Sequence, residues 1–120
     1  ADADDSLRSL RDGERRANAR VPATVCDGLR GDLGAPNFAM LRAAGAEVVA
    51  LDDAASLAAL RELWRDPRLR VEPSSAIALA AVLARPERVR GRRVGIILSG
   101  GNVDPDALPT LLGGSMPRVS

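Results

Sequence analysis

The chain has 120 residues, enough for one domain around one core, and is 46% hydrophobic with one Trp, one Phe and no Tyr, so its core is aliphatic. Seventeen cationic side chains nearly balance sixteen acidic ones, and no basic cluster carries aromatic neighbours for stacking on bases, which argues against a nucleic-acid partner. Every cation is Arg: there is no His to serve as base or metal ligand, and no Lys to condense with an aldehyde cofactor.

The start, Ala-Asp-Ala-Asp-Asp, is acidic and unlike a secretory leader, and no apolar run approaches the roughly 20 residues of a membrane span. The single cysteine, Cys26, forms no intramolecular disulfide, which fits a reducing compartment. The expectation is a cytoplasmic chain without membrane contact.

Residues 4–12 place carboxylates ahead of Leu7 and Leu10 and arginines behind them, as a short helix dipole favours, and Gly13 ends that helix. Glu14 to Pro22 is polar and non-periodic and reads as a surface loop. Asn37 is a candidate cap for a helix from Phe38 to Ala44 closed by Gly45. Ala46 to Leu51 is short with Val48 and Val49 at its centre and reads as a strand.

Asp52 or Asp53 then caps a helix with Leu57, Leu60, Leu63 and Trp64 on one face, and Pro67 closes it. Glu72-Pro73-Ser74-Ser75 opens a further helix, apolar nearly all round and therefore expected to be buried. Val94 to Leu98 is a continuous apolar run of the kind buried on both faces of a parallel sheet. Asp104-Pro105-Asp106 opens a last helix through about Leu112. Strands alternating with helices give an α/β class for a single domain over residues 1–120.

The loop Ser99-Gly100-Gly101-Asn102 leaves the carboxyl end of the second predicted strand, where open α/β sheets hold ligands. Its glycines permit close backbone approach, and Ser99 and Asn102 bring a hydroxyl and an amide; the alternative is a tight strand-to-helix turn. Glu72 either caps the helix that follows or faces a pocket. Asp27-Gly28 reads as a site loop or, more simply, a turn, the acidic start as oxygen ligands for a divalent cation or, more simply, a solvated helix start, and Trp64 as core or interface packing. Without a His to activate it, Cys26 reads as a small buried residue rather than a nucleophile.

Four segments in order, Asp4-Asp5-Ser6, Thr24 to Arg30, Val71 to Ser74 and Val94 to Asp104, together resemble the C-terminal part of the pyridoxal-phosphate-dependent serine/threonine dehydratase and serine racemase family, of fold-type II. The resemblance covers residues 1 to about 112. It implies that the catalytic lysine and the glycine-rich phosphate loop lie upstream, so that no catalytic residue is in this chain and its partner is the missing N-terminal half or a second chain.

By the same resemblance, Ser99 matches a serine facing the pyridine nitrogen of pyridoxal 5'-phosphate, and Gly100 and Asn102 belong to the same loop. Gly28 matches a glycine passing close to the cofactor, and Glu72 a glutamate near its ring. The carbonyl of Ala3 and the carboxylate of Asp5 match ligands of a divalent-cation site, for Mg2+ or another such ion, whose further glutamate would precede residue 1. Two positions depart from the pattern: Ser75 stands where glycine is common and Cys26 where alanine is usual.

The activity implied is that of an ammonia-lyase converting serine- or threonine-type hydroxy-amino acids to 2-oxo acids and ammonia, in an enzyme that is commonly a homo-oligomer when complete. The alternatives are a racemase on the same scaffold and a catalytically silent module that pairs with a partner chain. An unrelated α/β domain holding an anion at Ser99 to Asn102 is a third reading.

Overall fold

A computed structural model describes residues 2–101, 103, 104, 106 and 110. Helix α1, Asp5–Asp12, ends at Gly13, whose φ of 70° is the left-handed conformation that a residue without Cβ adopts at little cost. Inside it, Ser9 is buried; its hydroxyl donates to the Asp5 carbonyl at 2.6 Å and accepts from the Arg16 N–H at 2.8 Å. Residues 15–24 form the expected loop, and a single 3-10 turn follows at Asp27–Leu29.

Helix α2, Ala35–Ala43, starts earlier than Asn37 would place it, with Gly34 at the cap position and Pro36 in the first turn. The ring of Pro36 presets φ for helix entry, which leaves Asn37 inside the helix rather than at its cap. Gly45 follows with a φ of 60°.

Helices α3, Asp53–Leu63, and α4, Pro73–Ala84, pack on each other and make the core. Asp52 caps α3, its carboxylate accepting the Ala55 N–H at 2.8 Å. Ala59, Leu60, Leu63 and Trp64 then meet Val71, Ala76 and Ala80, with Leu57 packed at the margin. Fully burying a leucine such as Leu60 stabilises the pair by about 1.5–3 kcal/mol. A last short helix, α5, spans Pro86–Val89.

Two expectations are corrected. First, α4 is buried on one stripe only, Pro73, Ser75, Ala76 and Ala80, while Leu83 is exposed and Ile77, Ala78 and Ala81 line an open trough. Second, the strands of the α/β expectation do not form: the described residues contain helices and no strand. A strand exists by its ladder of hydrogen bonds, and 46–51 and 94–98 find no neighbour to make one. The apolar run 94–98 is left open accordingly, with Val94 46% and Ile97 84% exposed.

Candidate functional site

Three of the residues singled out from sequence converge at the N-terminal end of α4. Glu72 stands at the cap position of that helix, but its side chain makes no capping hydrogen bond, so the capping alternative is not the one adopted. Its backbone N–H donates to the Gly100 carbonyl at 3.3 Å, which ties the loop after 94–98 to the start of α4. Gly100 has a φ of 83°, and an ideal Cβ built there would lie 2.5 Å from Glu72 Oε1 and 3.2 Å from Oε2. No side chain fits that space while the carboxylate holds it.

Gly28 approaches from the other side. Its N–H donates to Ser74 Oγ at 2.9 Å, and a Cβ there would sit 3.1 Å from the same oxygen and 3.7 Å from Glu72 Oε1. The result is a half-buried carboxylate between two bare glycine backbones. Ser99 precedes Gly100 and is exposed, and Asn102 lies outside the described residues. The last predicted helix, from Asp104 through about Leu112, also falls for the most part outside them.

Long-range hydrogen bonds seat this arrangement. Asp53, in the first turn of α3, accepts Thr24 Oγ1–H at 2.5 Å and the Val25 N–H at 3.0 Å. One helical turn further, the buried Ser56 hydroxyl donates to the Pro73 carbonyl at 2.7 Å and accepts from the Cys26 thiol at 3.3 Å. Residues 24–28 are thus fixed against both α3 and the start of α4. Trp64 fixes the approach to Glu72: its indole N–H donates to the Val71 carbonyl at 3.0 Å, and the Arg70 guanidinium lies 4.5 Å above its ring. Gly101 passes close by, with a Cβ position 3.2 Å from the Arg70 carbonyl.

Ser56 is not singled out by sequence, and Asp53 and Ser74 read only as helix-start residues, Ser74 also within a segment of the family resemblance, not as partners of Thr24 and Gly28. Their partners lie 17 to 46 residues away, and no local pattern marks such pairs.

The N-terminal positions Ala3 and Asp5 sit elsewhere, on a trough of about 880 Å³ between α1 and α4 that Gly28 also borders. Asp5 is buried and its Oδ2 accepts the Leu33 N–H at 2.7 Å. Among the described residues no group of three or more His, Cys, Asp or Glu is placed to hold a metal ion. Cys26 is buried, in keeping with an inert packing residue. No helix among the described residues is long and apolar enough to cross a membrane.

Comparison with known proteins gives a consistent answer. Residues 1–100 match the family model described as pyridoxal-phosphate dependent enzyme. A beta-hydroxyaspartate dehydratase of Paracoccus denitrificans is 40% identical over 107 residues, covering 89% of this chain and 34% of the relative. A serine racemase of Dictyostelium discoideum is 34% identical, covering 92% of this chain and 35% of the relative. Among solved structures, a threonine deaminase of T.th. superposes with a TM-score of 0.79 at 36% identity, over 86% of this chain and 38% of that one. Maize serine racemase does so with a TM-score of 0.78 at 33% identity, over 93% and 35%. The chain therefore spans about a third of the length of the relatives it matches.

Proposed function

Because the chain belongs to the family of pyridoxal-phosphate-dependent enzymes, we propose that it forms the C-terminal part of an ammonia-lyase that dehydrates hydroxy-amino acids of the serine and threonine type. The products of such an enzyme are a 2-oxo acid and ammonia. The relatives are lyases and racemases, and membership of their family removes the reading of an unrelated anion-binding domain.

The observation that carries the proposal is the Gly28–Glu72–Gly100 arrangement, where two positions without Cβ flank one carboxylate and Ser99, with its neutral hydroxyl, directly precedes Gly100. These groups fit a flat aromatic ring: the glycines let it approach the backbone, and the hydroxyl pairs with a ring nitrogen without forcing a proton onto it. Bound pyridoxal phosphate supplies the electron sink for the bond broken at the substrate α-carbon. Around it, Ser99 would hold the ring nitrogen, and Gly28 and Glu72 would wall the pocket. Gly100 would keep Glu72 close by leaving room for its carboxylate. A divalent cation held by the Ala3 carbonyl and Asp5 belongs to the same proposal and needs ligands from outside the chain.

A second reading has its own support. The chain has no Lys, so the covalent link to the aldehyde cofactor has to come from another polypeptide segment. A module that is catalytically silent alone and pairs with a lysine-bearing partner follows from that, and the open run Val94–Ile97 is apolar surface for it to cover. In the partnered state 46–51 and 94–98 gain strand neighbours and the α/β sheet of the relatives forms.

Intact-mass analysis of the native preparation separates the two readings. A chain extended upstream by lysine-containing sequence supports the lyase, whereas a separate lysine-containing polypeptide supports the pairing module. A homogeneous 120-residue chain that turns over no hydroxy-amino acid supports the silent module.

A further inference from the structure

Positive charge gathers at the end of α4 remote from Glu72, about 18 Å away along a helix of twelve residues. Five of the seventeen arginines, Arg85, Arg88, Arg90, Arg92 and Arg93, fall within nine positions. Counting Glu87 in the same stretch and Glu47 across from it, three positive charges are left uncompensated. A helix C-terminus attracts cations with about half an elementary charge, which accounts for one arginine there but not five.

Arg85, Arg88 and Arg92 line a groove of about 290 Å³ together with Glu47, Val49 and Val82. Within it, Arg88 already holds a carboxylate in the two-pronged geometry that guanidinium favours, donating to Glu47 Oε2 at 3.0 Å and Oε1 at 3.2 Å. Arg85 and Arg92 are exposed and make no side-chain hydrogen bond or ion pair among the described residues. An internal acid thus occupies one of three forks, and two are open to a ligand.

We propose that this groove binds a small anion with more than one acidic group, either a di- or tricarboxylate or a phosphate-bearing compound. A monovalent anion pairs with only one open guanidinium, whereas a multivalent one gains Arg85 and Arg92 at once. The volume limits the ligand to a small molecule, and the apolar side chains of Val49 and Val82 accommodate a short carbon skeleton. This site is independent of the cofactor reading.

The test is calorimetric titration of the 120-residue chain with citrate and with pyrophosphate at fixed ionic strength, with chloride as control. Saturable binding of one or both is expected; citrate alone identifies a carboxylate site, pyrophosphate alone a phosphate site, and both the shared chemistry. Arg85→Gln and Arg92→Gln should each weaken binding about tenfold, with folding checked by Trp64 emission. Glu47→Gln should tighten it about threefold by freeing Arg88, a gain that misfolding does not produce. No saturable binding, affinity unchanged in both arginine variants, or weaker binding in Glu47→Gln overturns the proposal.

Discussion

The carboxylate of Glu72 occupies the space that a side chain on Gly100 would need, 2.5 Å from an ideal Cβ, and the two residues are joined through the Glu72 N–H and the Gly100 carbonyl. Two separate costs meet at this glycine, a left-handed φ and a steric overlap. Gly100→Ala should therefore destabilise the chain by about 1–3 kcal/mol in urea unfolding. In the double variant with Glu72→Ala the overlap is gone and only the φ cost of roughly 1–2 kcal/mol remains. Equal losses in the single and double variants would mean that Glu72 does not hold Gly100.

Ser56 is the joint between α3, the loop carrying Cys26 and the start of α4. Ser56→Ala leaves the Pro73 carbonyl without the hydroxyl it accepts from and should cost about 1–3 kcal/mol. The same variant should speed hydrogen exchange of the Gly28 amide, which donates to Ser74 one position further along α4.

Ser75 runs the other way. Its hydroxyl is buried and has no hydrogen-bond partner among the described residues, so Ser75→Ala removes an unsatisfied group and places a better helix former in the first turn of α4. A gain of about 1 kcal/mol in thermal or urea unfolding is expected.

Much of this was legible in the sequence where the signal was local. Leu60, Leu63 and Trp64 fall on one face, Asp52 caps ahead of them, and α3 forms as that pattern requires. Gly13 and Gly45 both take the left-handed conformation of helix ends. Where two local signals compete, the geometry decides: Pro36 starts α2 and overrides Asn37 as cap. The strands expected at 46–51 and 94–98 do not form because composition reports burial, while a strand also needs a neighbouring chain segment that the described residues do not place beside them.

The meeting of Gly28, Glu72 and Gly100 was suggested by resemblance, not by spacing. Its supports were invisible as pairs, since Thr24 and Asp53 are 29 residues apart and the segment and cap signals they carry do not link them.

Acid should loosen two surface contacts. The Arg8 side chain bonded to Asp4, and the Arg68 side chain bonded to Asp66, hold those carboxyls below their usual range. A carboxyl lowered on folding contributes stability that is present above its unfolded pKa and lost as pH falls through the folded one. Stability should drop as acidity passes the ordinary carboxylate value of 3.8. Asp66→Asn should flatten part of that slope, as should high salt, because the pair is at the surface. An unchanged acid limb in the variant would remove Asp66 from the account.

The central claim, that this chain supplies one wall of a pyridoxal-phosphate pocket and not the covalent link, is tested most directly by cofactor retention. The chain, alone and mixed with a lysine-bearing upstream portion of the Paracoccus relative, is dialysed against buffer after loading, and the visible absorbance of the bound cofactor is recorded. The account predicts retained absorbance in the mixture, weakened by Gly28→Leu, and none in the chain alone. Cofactor held by the chain alone, or absent from a mixture that size-exclusion chromatography shows to be associated, would contradict it.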